Sequence, residues 1–313
     1  MRWLVLRAIA FATLLGVGNE LVLAEPIVPG FNVEVYAHVD LPGGLSFAPN
    51  GDLYVGNSDT PAKIRRVLRG GAQVAEYGNA TLRDPDSVLF DPVGTVSGEP
   101  GAVLVAGGWE TYMGHISAVL PDETVVAVFG PSGEFFNIND MKFDQTGRFL
   151  ATDAGMNQVL ECSGGALEVF ATLPTPAQSL AIDAGNNIFV SGYDGTIRVY
   201  DSFGNLTNGA FATGFGLIPR LEFGPGGAFG EDLYVLDVQA GRLFRYDSIG
   251  NGVQVGSGFS GGDFCFGSDG ALYKSELADN QILRITVIPE PSILMLLSIG
   301  AVGLLLYAVG RRK

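Results

Sequence analysis

The sequence predicts an all-β protein, a β-propeller of six blades, and three observations lead to this fold class. The chain of 313 residues has 45 glycines and 20 phenylalanines but only 16% charged residues, a composition typical of short strands joined by tight turns. A strand–turn–strand pattern recurs with starts about 40 to 50 residues apart, the length of one four-stranded blade. No apolar stripe with the helical period of 3.6 residues competes with this pattern.

Each copy of the repeat has an apolar strand, a turn that contains Gly, Asn or Asp, and a second apolar strand. The six copies begin at Leu45, Val88, Met141, Leu180, Leu221 and Phe264. Turns such as Asn50-Gly51 supply the positive φ that a tight hairpin needs. Because a ring must close, we expect residues 31–37 to pair with strands of the last blade.

The N-terminus, residues 1–24, has the features of a secretory signal peptide. Arg2 and Arg7 precede an apolar run over residues 8–17, and Val22-Leu23-Ala24 precedes an expected cleavage site before Glu25. We therefore expect export through the Sec translocon and assign the propeller domain to residues 25–286.

The C-terminus has a second apolar segment, residues 292–309, which is just long enough to cross a membrane. The basic residues Arg311, Arg312 and Lys313 follow it and favour a cytoplasmic C-terminus. These features predict a transmembrane helix, and a plain tail anchor is one interpretation of it.

The tripeptide Pro289, Glu290 and Pro291 stands directly before this apolar segment and supports a sharper interpretation. The order of Pro-Glu-Pro, one hydrophobic helix and a basic end resembles the PEP-CTERM domain, a sorting signal of Gram-negative bacteria that make extracellular polysaccharide. The resemblance covers residues 287–313. It implies that an exosortase recognises the tripeptide and removes the helix, so that the protein passes through the inner membrane to the cell surface or extracellular matrix.

The net charge of −15 argues against a nucleic-acid partner, because an acidic surface repels phosphates. Cys162 and Cys265 are too few for a disulfide framework, and the repeat pattern puts them in distant blades, so we interpret both as buried, unpaired residues. The only histidines, His38 and His115, are expected at the surface. No zinc-protease motif or serine-hydrolase triad is apparent.

The repeat units resemble NHL repeats and the gluconolactonase or senescence-marker-protein group of six-bladed propellers. The resemblance rests on segments such as Pro49-Asn50-Gly51-Asp52-Leu53-Tyr54-Val55 and residues 186–201, and it extends over about residues 31 to 286. It implies the fold more strongly than any activity.

Residues just before each inner strand are expected at the mouth of the central channel, where propellers bind ligands. The polar ones are Asp86, Asn139, Asp140, Gln178, Arg220 and Asp263. The gluconolactonase resemblance implies a divalent cation such as Ca²⁺, for which Asp86, Asn139 and Asp140 are the candidate ligands. Gly43-Gly44 stands where that group would place a glutamate.

Two functions remain open from the sequence. The leading hypothesis is a non-enzymatic binding scaffold at the cell surface or in the matrix, with polysaccharide or a surface protein as partner. The alternative is a metal-dependent hydrolase of the lactonase type acting at the channel. A third carboxylate from another blade, Asp263 or Glu222, would favour the hydrolase. An uncleaved tail would instead indicate a subunit that stays in the inner membrane.

Overall fold

A computed structural model describes most of the body of the chain. The described residues are 28, 30–57, 62–80, 82, 85–107, 114–130, 137–163, 165–216 and 219–288. The expected signal peptide, the Pro289-Glu290-Pro291 motif and the apolar and basic tail lie outside them. Among the described residues, no helix is long and apolar enough to cross a membrane.

Within these ranges, 24 strands form six antiparallel sheets of four strands each, which confirms the six-bladed propeller. One strand, β1 (Phe31–His38), precedes the first complete blade. Blades 1 to 3 are formed by β2 (Pro42–Phe47), β3 (Leu53–Asn57), β4 (Lys63–Val67), β5 (Val74–Tyr77), β6 (Ser87–Asp91), β7 (Ala102–Gly107), β8 (His115–Val119), β9 (Val125–Phe129), β10 (Ile138–Phe143), β11 (Phe149–Asp153), β12 (Gln158–Ser163) and β13 (Ala166–Thr172). Blades 4 to 6 are formed by β14 (Ala177–Ile182), β15 (Ile188–Gly192), β16 (Ile197–Tyr200), β17 (Leu206–Ala212), β18 (Pro219–Phe223), β19 (Leu233–Asp237), β20 (Arg242–Tyr246), β21 (Gly252–Ser257), β22 (Phe264–Phe266), β23 (Leu272–Glu276) and β24 (Gln281–Val287), with β1 as the outermost strand of blade 6. A short 3-10 helix, Gly227–Phe229, follows β18.

The N-terminal strand closes the ring, as the sequence predicts. β1 pairs antiparallel with β24, from Phe31 opposite Val287 to His38 opposite Gln281. Arg284 Nη1 also donates to Glu34 Oε1 at 2.7 Å across this seam. The last blade therefore contains strands from both ends of the propeller domain, and each of these strands has a partner.

The innermost strands surround a central channel. β2, β6, β10, β14, β18 and β22 each contact the next one around the ring, and β22 contacts β2. Because neighbouring strands are antiparallel, the starts of the innermost strands and the ends of the second strands lie at the same end of the ring. We call this the upper end of the channel.

The core lies between the blades. Every residue of the second strands, β3, β7, β11, β15, β19 and β23, is buried. Both faces of these strands pack against neighbouring blades, so most of their sequences are continuous apolar runs and do not alternate between apolar and polar residues. The outermost strands, such as β17, are mostly exposed.

Hydroxyl groups near the ends of second strands link consecutive blades. Thr152 Oγ1 donates to Gln178 O (3.2 Å), Ser191 Oγ donates to Pro219 O (2.8 Å), and Ser275 Oγ donates to Gly43 O (2.9 Å). Blade 1 has Gly56 at the corresponding position, where a Cβ atom would lie 2.2 Å from Pro85 O. Blades 1 and 2 therefore meet through direct backbone contact.

Two sequence expectations about single residues need correction. His115 is buried, because the first residue of β8 pairs with Gly107 at the buried end of β7, whereas His38 is exposed as expected. Both cysteines are free, but Cys162 is only half-buried, since β12 becomes exposed towards its end.

Candidate functional site at the upper end of the channel

Several second strands end in an acidic residue at the upper end, and its carboxylate binds the backbone of a loop that leads into an inner strand. Asp153 Oδ1 accepts a hydrogen bond from Asn137 N (3.1 Å), and Asp237 Oδ1 accepts one from Gly216 N (3.3 Å). Glu276 Oε2 accepts one from Ser260 N (2.6 Å). These fully buried carboxylates position the site. These residues were not predicted, although the sequence contains a signal for them, namely a polar residue at the end of an otherwise apolar strand.

A set of charged side chains occupies the channel itself. In a strand, residues two apart share a face, so Asp140 and Lys142 project together from β10 and Arg220 and Glu222 project together from β18. Lys142 Nζ forms an ion pair with Glu222 Oε2. Because β14 lies between these two strands in the ring, this pair spans part of the channel. The sequence predicted Glu222 only as an alternative to Asp263 for a third carboxylate at the channel, and it did not predict Lys142 as a member of the site.

The carboxylate of Asp140 links blade 3 to blade 4 and, through the Ser179 hydroxyl, to blade 5. Its Oδ2 accepts hydrogen bonds from Ser179 Oγ (2.5 Å) and Leu180 N (3.0 Å), and its Oδ1 accepts one from Met141 N (2.9 Å). Ser179 Oγ in turn accepts Leu221 N at 3.1 Å. Burial raises the pKa of Asp140, against the opposing effect of the nearby cations. Protein donors therefore already occupy most of the acceptor sites on this carboxylate.

Lys142 remains an ammonium ion in this environment. Burial by itself would lower the pKa of Lys142, but the negative charges of Glu222, Asp140 and Asp263 outweigh it, and the pKa is raised. The side chains of Lys142 and Glu222 are each 24% exposed, so water reaches the pair.

Arg220 lies beside these groups. Its Nη1 donates to the carbonyl oxygen of Asn139 at 2.9 Å, and its Nε is buried with no hydrogen-bond partner. The charge of Arg220 lowers, and the charge of Asp263 raises, the pKa of both Asp140 and the buried Lys274. The Nε–H of Arg220 is thus a buried donor without a hydrogen-bond partner.

Tyr193 belongs to the same end of the channel, although the sequence analysis did not identify it. Burial raises the pKa of its hydroxyl, and the negative charge of Asp86 raises it further. A hydrogen bond with Gln178 and the positive charge of Arg220 lower this pKa, but by less. Gln178 is only 2% exposed and donates to Ala177 O at 3.2 Å. The feature of the sequence that could have predicted Tyr193 is its position in the loop directly after β15.

The structure places all six predicted residues at the upper end. Asp86 and Asp263 directly precede β6 and β22, and the other four lie within the first three positions of β10, β14 and β18. Arg220 and Asp263 both act on the pKa of Asp140, and Arg220 and Asp86 both act on the pKa of Tyr193, which also forms a hydrogen bond with Gln178. Asn139 contacts Arg220 through its carbonyl oxygen.

The residues present do not complete the metal-ligand set that the gluconolactonase resemblance implies. A Cβ at Gly44 would lie 2.8 Å from Asp86 O, so blade 1 has no room for a glutamate there. Over the described ranges, no group of three or more His, Cys, Asp or Glu side chains could hold a metal ion. Coordination of Ca²⁺ by Asp86, Asn139 and Asp140 remains a prediction that only measurement can test.

A separate cleft of about 820 Å³ lies at the lower end, between blades 4 and 5. Aromatic and acidic side chains line it, among them Phe211, Phe223, Glu231 and Asp247. Glu222 also borders this cleft.

Comparison with solved structures shows the fold. A gluconolactonase from Xanthomonas campestris superposes with a TM-score of 0.64 at 15% identity, covering 86% of this chain and 94% of that one. The PQQ-bound aldose sugar dehydrogenase from Streptomyces coelicolor gives 0.62 at 14%, covering 82% and 99%. Virginiamycin B lyase from Staphylococcus aureus gives 0.58 at 14%, covering 82% and 100%. No protein-family model matches the sequence, and no curated protein matches it at a significant level.

Proposed function

We propose that the protein is a hydrolase of the lactonase type, acting on a small carbohydrate-derived lactone at the upper end of the channel. The observation that carries this proposal is the placement of Asp140, Asp263 and Arg220, from three blades, at the upper end of the channel, where Arg220 Nη1 contacts the carbonyl oxygen of Asn139 and the charges of Asp263 and Arg220 act on the pKa of Asp140. Burying ionisable groups costs free energy, and such groups concentrate at functional sites. Two of the similar solved structures, a gluconolactonase and an aldose sugar dehydrogenase, have names that refer to sugar substrates, which supports this ligand class.

The proposed chemistry uses the chain's own side chains. The Arg220 guanidinium donates to the lactone carbonyl oxygen and stabilises the negative charge that develops there. Asp263 accepts a proton from a water molecule while that water attacks the carbonyl carbon. The ring C–O bond then breaks, and the departing alkoxide takes up the proton, which leaves a hydroxy acid.

Turnover of a panel of aldono- and uronolactones, followed by acid release with a pH indicator, tests this function. We expect turnover by the wild type and a loss of about 100-fold or more in kcat/KM for Arg220→Met and for Asp263→Asn. Arg245→Met is the matched control, because Arg245 forms an exposed ion pair with Asp232 at 3.4 Å, away from the channel. Wild-type activity in both site variants, or no turnover of any lactone, would overturn the proposal.

A second candidate function is an exported binding scaffold, and the incomplete metal-ligand set favours it over a metal-dependent enzyme. The sequence order of Pro289-Glu290-Pro291, apolar segment and basic end supports sorting to the cell surface. Binding of the purified protein to extracellular polysaccharide, without lactone turnover, would favour this function.

Export and sorting are tested separately in cells. We expect the mature protein to start at Glu25 and to lack residues 292–313, as read by mass spectrometry of surface and matrix fractions. Replacing Glu290 with Ala should block removal of the tail and keep the protein in the inner membrane. A mature wild-type protein that retains Lys313 would argue against exosortase processing.

A further inference from the structure

The position of Arg220 has a consequence for the kind of ligand that the channel accepts. Its Nη1 donates to the carbonyl oxygen of Asn139 at 2.9 Å, next to Asp140 in the chain, and Asp86 and Asp263 directly precede inner strands at the same end of the ring. Carboxylate and carbonyl oxygens are the ligands that hard divalent cations prefer. A fixed positive charge therefore lies among the oxygen atoms that could otherwise coordinate such a cation.

The other potential ligands at this end are also committed to contacts within the protein. Three protein donors bind the carboxylate of Asp140, and Gly44 leaves blade 1 without a side chain. A divalent cation at this place would face the guanidinium directly, and like charges at such distances repel each other strongly in a partly buried site. The buried Arg220 Nε, which has no partner, still has a hydrogen to donate to an acceptor oxygen.

We propose that the Arg220 guanidinium fills the place of a divalent cation at the upper end of the channel, so that the site binds an acceptor oxygen of its ligand without metal. The catalytic use of this contact rests on the proposed hydrolase function. The exclusion of the cation does not, because it follows from the charge and the contacts of Arg220 alone. The Asn139 carbonyl is then a partner of the arginine, and together with Asp86 and Asp263 it becomes a cation ligand only when the arginine is removed.

Cation binding without any substrate tests the proposal. The purified protein, dialysed against chelator and then against buffer, is titrated with Ca²⁺, Mg²⁺, Mn²⁺ and Zn²⁺ in turn, and Tm and bound metal are measured. We expect no stoichiometric metal and no change in Tm for the wild type. For Arg220→Ala we expect a new saturable site and a rise in Tm of about 2–4 °C, because removing the guanidinium leaves the carboxylates without their cation.

Two controls separate this effect from a general loss of positive charge. Arg245→Ala removes an exposed arginine outside the channel and should bind no cation. Arg220→Lys keeps the charge and should resemble the wild type. If folding of Arg220→Ala is impaired, Arg220→Gln provides a neutral side chain of similar length.

Two outcomes overturn the inference. Stoichiometric divalent metal in the wild type would show that the cation and Arg220 coexist. A neutral Arg220 variant that folds but binds no cation would show that the arginine is not what keeps the cation out. Failure of lactone turnover would leave these binding results unaffected, so the two proposals fail separately.

Discussion

Lys142 Nζ on β10 forms an ion pair with Glu222 Oε2 on β18, two blades away around the ring. The pair links parts of the propeller that share no sheet. Both side chains are about three-quarters removed from solvent, so each charge depends on the other for compensation.

Removing one member of this pair should cost more stability than removing both. We expect Glu222→Gln and Lys142→Met each to lower the free energy of unfolding by roughly 2–4 kcal/mol, because a charge stays partly buried without its partner. The double variant Lys142→Met/Glu222→Leu should recover much of this loss. Urea unfolding of the four proteins measures the coupling, and additive effects of the two single changes would contradict it.

The acid stability of the protein should depend on Asp144. Burial would raise the pKa of this carboxyl, but hydrogen bonds from Thr146 and from Arg148 outweigh burial and hold the pKa below its ordinary value of 3.8. The unfolded chain therefore binds more protons at low pH, so the contribution of Asp144 is full above about pH 4 and is lost as the pH falls through the folded pKa.

Replacing Asp144 with Asn should flatten this pH dependence. Between about pH 5 and pH 3, the free energy of unfolding of Asp144→Asn should fall less steeply than that of the wild type. The matched control is Glu168→Gln, at an exposed carboxyl of β13, which should keep the wild-type slope. Equal slopes for Asp144→Asn and the wild type would rule out this role for Asp144.

The contact between blades 1 and 2 should not tolerate a side chain at Gly56. A Cβ there would lie 2.2 Å from Pro85 O, so Gly56→Ala must push two backbones apart and should cost roughly 2–3 kcal/mol. Gly209→Ala, on the exposed strand β17, is the control, because its Cβ would lie 3.9 Å from Leu206 Cδ2. Thermal unfolding distinguishes them, and equal Tm values would show that the blades move apart freely.

Ring closure should be sensitive to one hydroxyl group. Ser275 Oγ donates to Gly43 O (2.9 Å), which joins blade 6 to blade 1, and accepts a hydrogen bond from Asp263 N (2.7 Å). Ser275→Ala leaves half-buried backbone groups without this partner and should cost about 1–3 kcal/mol in urea unfolding. Ser163→Ala, on the exposed end of β12, should change stability by less than about 0.5 kcal/mol. A Ser275→Ala variant as stable as this control would mean that the seam does not depend on the hydroxyl.

The residues at the channel were only partly predictable. Asp86, Asn139, Asp140, Gln178, Arg220 and Asp263 were found because each lies at a fixed place in the repeat, at the start of an inner strand. Glu222 was predicted only as an alternative to Asp263, and Lys142 was not predicted, because both lie further along their strands, where nothing local distinguishes them from ordinary charged strand residues. Their ion pair forms only because the ring brings β10 and β18 towards one axis.

The sequence by itself determined the architecture of this protein. The repeat length, the turn residues and the apolar runs specify six four-stranded blades, and the need to pair the last edge predicts the closure of β24 by β1, since these are local or periodic properties of the chain. Only the tertiary structure decided which charges meet in the channel. In it, Asp140 pairs with Ser179, and Arg220 pairs with the Asn139 carbonyl. Such pairs join residues from different blades, and the distance between them depends on how the ring closes.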